Sequence, residues 1–190
     1  MTTEQLYQEL NYANHSREKR LFYANMMINN PELLPKLLDI LFMVDDKISP
    51  RAAWVLEFTC SENIETIIPY LDTFTENMHK IHLDPAVRPA AKICEILAKY
   101  YYSKDDNSIK MALTKTHQNR IIETCFDYMI NDEKVAAKAY SMVTLFLFGK
   151  DFDWVHPELK TILERDFHIQ SAAFKARARQ ILKKLNKANK

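Results

Sequence analysis

The stretch DPAVRPAAKICEILAKYYY, residues 84–102, decides the fold class because it joins a helix start signal to two prolines one turn apart. Asp84 is a residue type that caps helix N-termini, and Pro85 suits the first helical position, where a missing N–H costs nothing. Pro89 follows a turn later, where it removes an intrahelical hydrogen bond and crowds the carbonyl of residue 85. We therefore predict a helix over 85–102 with a bent first turn, directly after a junction between packed helices.

Helical periodicity continues along the rest of the chain. Within 63–81, apolar residues recur every three or four positions and form one stripe that faces a core; they are Ile64, Ile67, Ile68, Leu71, Phe74, Met78 and Ile81. No segment alternates with the period of two that indicates a strand. The pattern predicts an all-α fold of about ten helices, over 3–13, 16–29, 31–43, 49–60, 63–81, 85–102, 108–130, 133–148, 155–167 and 171–187.

Composition narrows the class further. The 190 residues suit one domain, and the apolar (47%) and charged (27%) fractions are those of an ordinary globular chain. Gly149 is the only glycine, where average usage predicts about thirteen. Because phosphate-binding loops, Rossmann motifs and tight sheet turns all depend on glycine, those classes are excluded. We expect no cofactor.

The cysteines and the apolar segments indicate a cytoplasmic protein. Cys60, Cys94 and Cys125 are widely spaced and odd in number, so we interpret them as reduced core residues. The start, MTTEQLYQEL, lacks the features of a secretion signal, and the longest apolar run, MVTLFLF, is far shorter than the roughly 20 residues that span a bilayer.

The helices come in pairs whose second members open with small residues. Their first alanines, Ala52, Ala90, Ala136 and Ala172, are separated by 38, 46 and 36 residues. These intervals lie in the range of two-helix repeats. Small side chains at this point let the second helix approach its neighbours closely enough to bury a continuous core.

The octapeptide DPAVRPAA, Asp84 to Ala91, resembles the start of the second helix in HEAT-type repeats, whose common form is Asp-Pro-x-Val-Arg-x-Ala-Ala. DEKVAA, residues 132–137, is a more degenerate copy. The resemblance implies a right-handed α–α superhelix, a HEAT-like solenoid, forming a single domain over 1–190. Residues 1–30 would be an N-terminal helical cap, 31–187 about four helix pairs, and 188–190 the basic tail end. It specifies architecture and not activity.

Charge is distributed unevenly along the chain. Residues 175–190 carry seven Lys or Arg and no acid, which leaves −6 on the rest of a chain whose net charge is +1. The last helix is therefore amphipathic, with a basic outer face. Such a face is expected of a solubilising terminal cap, but it can also extend a binding surface.

A basic stripe along the second helices is the candidate binding site. In solenoids of the resembled type these helices line the concave side, and the stripe comprises Arg88, Lys92, Lys99, Lys134, Lys138, Lys175, Arg179 and Lys183. We expect a non-enzymatic interaction module that binds a protein or an acidic peptide there. The alternative is a nucleic-acid-binding or DNA-repair-like HEAT protein, against which the low net charge argues.

An enzyme is the third interpretation. Glu76, His79 and His82 follow the Glu-x-x-His spacing of di-iron bundles, but the second copy that such a centre needs is missing, so we expect no metal site. The loop GKDFDWVHPEL holds varied side chains, yet Gly149 is typical of a helix C-terminus and Asp153 of an N-cap. The adenylosuccinate lyase superfamily is also all-helical, but its loop, Gly-Ser-Ser-x-Met-Pro-x-Lys-x-Asn, is absent, so that name is not supported.

Overall fold

Helices form all the regular structure in the computed structural model, which describes residues 1–188. No strand occurs among these residues, so the predicted all-α fold is confirmed. Residues 189 and 190, within the predicted basic tail end, lie outside the described range. The α-helices are α1 (Thr3–Leu10), α2 (Arg17–Asn29), α3 (Leu34–Leu41), α4 (Ser49–Glu62), α5 (Leu71–Asn77), α6 (Asp84–Tyr101), α7 (Ser108–Ala112), α8 (Lys115–Ile130), α9 (Val135–Phe148), α10 (Val155–Asp166) and α11 (Ala172–Ala188). Short 3₁₀ helices span Pro31–Leu33, Ile64–Tyr70 and Met78–Lys80.

Helix α6 continues through Pro89, and a neighbouring helix uses the carbonyl that this proline leaves free. The helix begins at Asp84 with Leu83 before it, so Asp84 is its first residue and not the predicted cap. An N–H at position 89 would donate to the carbonyl of Pro85. That carbonyl instead accepts a hydrogen bond from the indole Nε1–H of Trp54, at 2.9 Å. The second proline thus gives α4 an attachment point on α6.

The second helices pack side by side in chain order. We call α2, α4, α6, α9 and α11 the inner row, because each contacts the next one along the chain. Behind them, α3 packs on α4, α8 and α10 pack on α9, and α10 packs on α11. Ala52, Ala90 and Ala137 are almost wholly buried, as the close approach of these helices requires. Ala173, in the last pair, is exposed.

The predicted helix over 63–81 is instead three short pieces: a 3₁₀ helix, α5 and a second 3₁₀ helix. Pro69 lies inside the first piece and has no N–H with which to continue an α-helical ladder. The apolar stripe still reaches the core, where all its members but Ile68 are buried.

The predicted helix over 108–130 is divided between α7 and α8 at Thr114. The Thr114 hydroxyl accepts from the N–H of His117 at 3.4 Å, while Nδ1 of His117 accepts from the N–H of Thr114 at 3.2 Å. This is a capping box in which histidine takes the place of the usual Glu or Gln. The sequence pattern for a capping box therefore missed it.

The interior is apolar and holds all three cysteines as buried free thiols, as predicted. Burial raises the pKa of the Cys60 thiol, and a hydrogen bond with Cys125, together with burial, raises that of Cys94. Since the thiolate is the reactive form, these side chains serve as core residues.

Gly149 is required for space and not for backbone conformation. It ends α9 with φ −60° and ψ −6°, an ordinary right-handed conformation that any residue adopts, and not the left-handed conformation typical of a glycine at a helix C-terminus. A Cβ at this position would lie 2.0 Å from Cδ2 of His156. The His156 ring is held there by stacking on Phe146 and by a 2.8 Å hydrogen bond from Nε2–H to the Phe146 carbonyl.

Gly149→Ala is expected to destabilise the protein by about 1–3 kcal/mol, because the methyl group must displace a fixed ring. In a His156→Ala background the space is open, so the same change is expected to stabilise by about 0.4–1 kcal/mol through the lower entropy of the unfolded chain. Urea unfolding of the four proteins measures both values. Equal effects in the two backgrounds would contradict the steric explanation.

Trp54→Phe is expected to cost about 0.5–1.5 kcal/mol, since it leaves the Pro85 carbonyl without its donor. In a Pro89→Ala background the cost should be smaller, because the new N–H of residue 89 can donate to that carbonyl. A double-mutant cycle on unfolding free energies isolates this coupling from the loss of indole packing. A coupling energy of zero would show that the two residues act independently.

Candidate binding surface

The inner row leaves one side open to solvent, which we call the inner face. On α6 the stretch from residue 86 to 98 is buried except for Arg88 and Lys92. Four residues apart, these two point to the same side of the helix. The predicted stripe therefore begins on a genuine surface, and Arg88 and Lys92 are its central members.

Each neighbouring pair of inner-row helices is joined on this face by a cationic side chain. The contacts, measured to a ring centroid or a carboxylate oxygen, are Arg20 over Phe58 at 4.5 Å, Arg88 to Glu57 at 2.6 Å, Lys92 over Tyr140 at 4.7 Å, and Lys184 over Phe146 at 5.4 Å. Cation–π contacts and charge-assisted hydrogen bonds are stronger than neutral contacts of the same size. The inner face is consequently an ordered array of cations and rings.

Glu95 is the buried carboxylate of α6 and binds two of the predicted residues. Its oxygens lie 2.6 Å from Nζ of Lys92 and 2.8 Å from Nζ of Lys99. Burial raises the pKa of Glu95, but the two lysine hydrogen bonds outweigh burial and leave the pKa below the ordinary 4.5. The three side chains together present one net positive charge.

Lys138 does not reach the inner face. It is 4% exposed, and its ammonium group donates to the carbonyl of Met129 at 3.0 Å, near the C-terminus of α8. Cations are stabilised by the unpaired carbonyls at a helix C-terminus. Lys138 therefore ties α9 to α8 and has almost no charge exposed to a partner.

On α11 the residues beside the inner face differ from the predicted ones. Arg177 lines a groove between α9 and α11, and Lys184 lies over Phe146 of α9. Arg179 instead lies over Phe167, at 5.5 Å, in the turn after α10. Lys175 and Lys183 are each four residues from Arg179 and share its side of the helix. The three predicted residues of α11 are thus grouped together, but away from the groove.

Two concavities indent the inner face. The first, which we call the N-terminal pocket, has a volume of about 480 Å³ near the starts of α2, α6 and α9, and its lining residues are His15, Arg20, Trp54, Asp84, Pro85, Arg88, Lys134 and Ala136. The second, the alanine groove, has a volume of about 360 Å³ between α9 and α11, and is lined by Val135, Ala136, Ala139, Ala173, Ala176, Arg177 and Gln180. Arg88 and Lys134, both predicted, meet in the first.

Arg20, Trp54, Arg177 and Lys184 are members of the surface that sequence reasoning missed. Arg20 belongs to the segment interpreted as a terminal cap, and Trp54 lies on a helix without an exposed basic repeat. Arg177 and Lys184 alternate with the predicted cations of α11. The one available signal is their helical spacing, since Arg177, Gln180 and Lys184 recur at three and four.

The other chemical candidates do not converge. Glu76 lies 3.5 Å from the guanidinium of Arg120, whereas His82 lies 3.1 Å from Asp45. Within residues 1–188 no group of three or more His, Cys, Asp or Glu side chains is arranged to hold a metal ion.

The loop after α9 is fastened to its neighbours. Asp151 accepts a hydrogen bond from the Tyr102 hydroxyl at 2.7 Å, and Trp154 stacks on Phe126 with ring centroids 5.4 Å apart. Helix α10 begins at Val155 with Trp154 before it, so Asp153 is not the predicted N-cap. These contacts give the loop a structural role in positioning α10.

None of the helices within residues 1–188 combines the length and the apolar character needed to cross a bilayer.

No protein-family model matches the chain, and neither the curated proteins nor the solved structures include a detectable relative. Function has therefore to be argued from the inner face itself.

Glu95→Gln is expected to lower stability at neutral pH by about 1–3 kcal/mol, through loss of two charge-assisted hydrogen bonds. Because the pKa of Glu95 is lower in the folded than in the unfolded protein, its contribution is complete above the unfolded value, about 4.3, and is lost as pH falls through the folded value. Urea unfolding across a pH series should show the two proteins converging in acid. Glu62→Gln, at an exposed glutamate, is the matched control, and a gap that stays constant with pH would contradict the assignment.

Proposed function

We propose that this protein is a non-enzymatic interaction module of the cytoplasm that binds an acidic segment of a partner protein through the inner face. In this proposal the stacked helix pairs form a right-handed, HEAT-like solenoid, and the inner row lines its concave side. Chain-order packing of α4, α6, α9 and α11, each backed by an outer helix, supports that architecture.

The array of cations on the inner face carries the proposal. Seven cations and three carboxylates give the face a net charge of +4, the members being Arg20, Arg88, Lys92, Lys99, Lys134, Arg177 and Lys184 with Glu57, Asp84 and Glu95. Since the whole chain carries +1, the remainder carries −3. A positive surface on an otherwise negative molecule directs acidic partners to one side.

An acidic protein segment fits this face better than a nucleic acid. Single-stranded nucleic acids bind by stacking bases on free aromatic faces. Phe58, Tyr140 and Phe146 are each covered by a cation of the neighbouring helix, so their rings are occupied. A carboxylate can share those cations without displacing them from the rings.

Affinity purification of the tagged protein from its native cytoplasm, with two charge-matched variants, tests the proposal. Lys134→Glu/Arg177→Glu reverses two cations of the inner face, whereas Lys104→Glu/Lys183→Glu reverses one exposed loop lysine and one on the far side of α11. A protein partner should be retained at moderate salt by the wild type and by the second variant, and lost with the first.

Retention of the partner by the first variant would contradict the proposal. Nucleic acid that is recovered instead and released as salt rises would favour the nucleic-acid alternative. The second variant also separates the surface described by the structure from the stripe predicted by the sequence, because Lys183 belongs only to the latter.

A further inference from the structure

The N-terminal pocket and the alanine groove form one continuous track, since Ala136 lines both. The pocket end is polar and cationic. The groove end is built from small apolar side chains, with Arg177 and Gln180 on its rim. A ligand that occupies both must have a charged group at one end and small apolar groups beside it.

Local charge decides which anion the pocket suits. Arg88 is neutralised by its bidentate contacts with Glu57, at 2.6 and 3.2 Å. Arg20 and Lys134 then face a single carboxylate, Asp84, which leaves one net positive charge on the lining. This balance matches a monoanion such as a carboxylate and is too small for a phosphate dianion.

Suitable donors surround this position. Lys134 is exposed and forms no ion pair within the described residues, so its ammonium group is free to bind. Across residues 1–188 no side chain caps α9, whose first N–H groups adjoin Lys134 and Ala136. The partly exposed ring of Trp54, held by its bond to the Pro85 carbonyl, supplies an apolar wall.

We propose that the N-terminal pocket binds a carboxylate of the partner, and that the adjoining residues of the same segment lay small apolar side chains in the alanine groove. This inference rests on the proposed function and names the chemistry that the partner presents. The carboxylate has two possible sources, an Asp or Glu side chain and the C-terminus of a chain.

Nuclear magnetic resonance titration with synthetic peptides tests the inference on the whole protein. The probes are Ac-Glu-Ala-Val-Ala-amide, its Gln counterpart, and Ac-Ala-Ala-Val-Ala with a free or an amidated C-terminus. The reporters are the indole N–H of Trp54 for the pocket and the amides of Ala136 and Ala176 for the groove. We expect a carboxylate-bearing peptide to shift all three with saturation, at least about tenfold more tightly than its neutral counterpart.

The two carboxylate peptides assign the source. Tighter binding of the Glu peptide indicates an acidic side chain, and tighter binding of the free C-terminus indicates a chain end. Lys134→Glu should abolish the shifts, while Lys183→Glu should leave them unchanged.

Equal shifts by charged and neutral peptides, or none by any of them, would overturn the inference. So would saturation of the Trp54 signal by inorganic phosphate at lower concentration than by acetate. If the purification finds a partner that depends on Lys134 and Arg177 but no peptide binds, the carboxylate site alone is wrong. If the peptides bind and no partner is found, the interaction function is wrong and the anion site stands.

Discussion

The close packing of α6 between α4 and α9 is the constraint on which the rest of the structure depends. Ala52, Ala90 and Ala137 are buried at these contacts, and a larger side chain at any of them would force the helices apart. The bond from Trp54 to the Pro85 carbonyl joins α4 to α6, so a hydrogen bond lost within one helix is replaced by one between two. At this separation the cations of α6 reach acceptors on both neighbours, and the inner face becomes an ordered surface.

Much of the fold follows from sequence patterns that act over one helix. The apolar spacing and the small residues at helix openings predicted an all-α chain of paired helices, because these patterns are set by burial of one face. They failed where a single residue decides a local geometry. Pro69 divides one predicted helix, and His117 completes a capping box that is normally recognised by Glu or Gln. Gly149 was attributed to its backbone freedom, whereas the neighbouring His156 ring is the cause, and that proximity exists only in three dimensions.

The candidate surface was predictable only where the buried side of a helix is unambiguous. On α6 all residues from 86 to 98 except Arg88 and Lys92 are buried, so the open side follows directly from the pattern. On α9 the run MVTLFLF is apolar all round, which leaves the direction of Lys138 undetermined until α8 is placed behind it. The apolar stripe of α11 identifies its buried side, but not which flank adjoins α9. That choice depends on how α11 rotates against its neighbour.

The cross-helix contacts of the inner face also determine how costly binding is in conformational entropy. Long basic side chains normally lose rotamer freedom when a partner immobilises them, at about 0.5–1.5 kcal/mol for each side chain. Here Arg20, Arg88 and Lys92 are already held by Phe58, Glu57 and Tyr140 in the free protein. Folding has fixed their positions, so a partner meets a rigid surface and loses less of its binding free energy to ordering. A rigid array also selects partners by the spacing of their acidic groups, which a flexible array of the same charge does not.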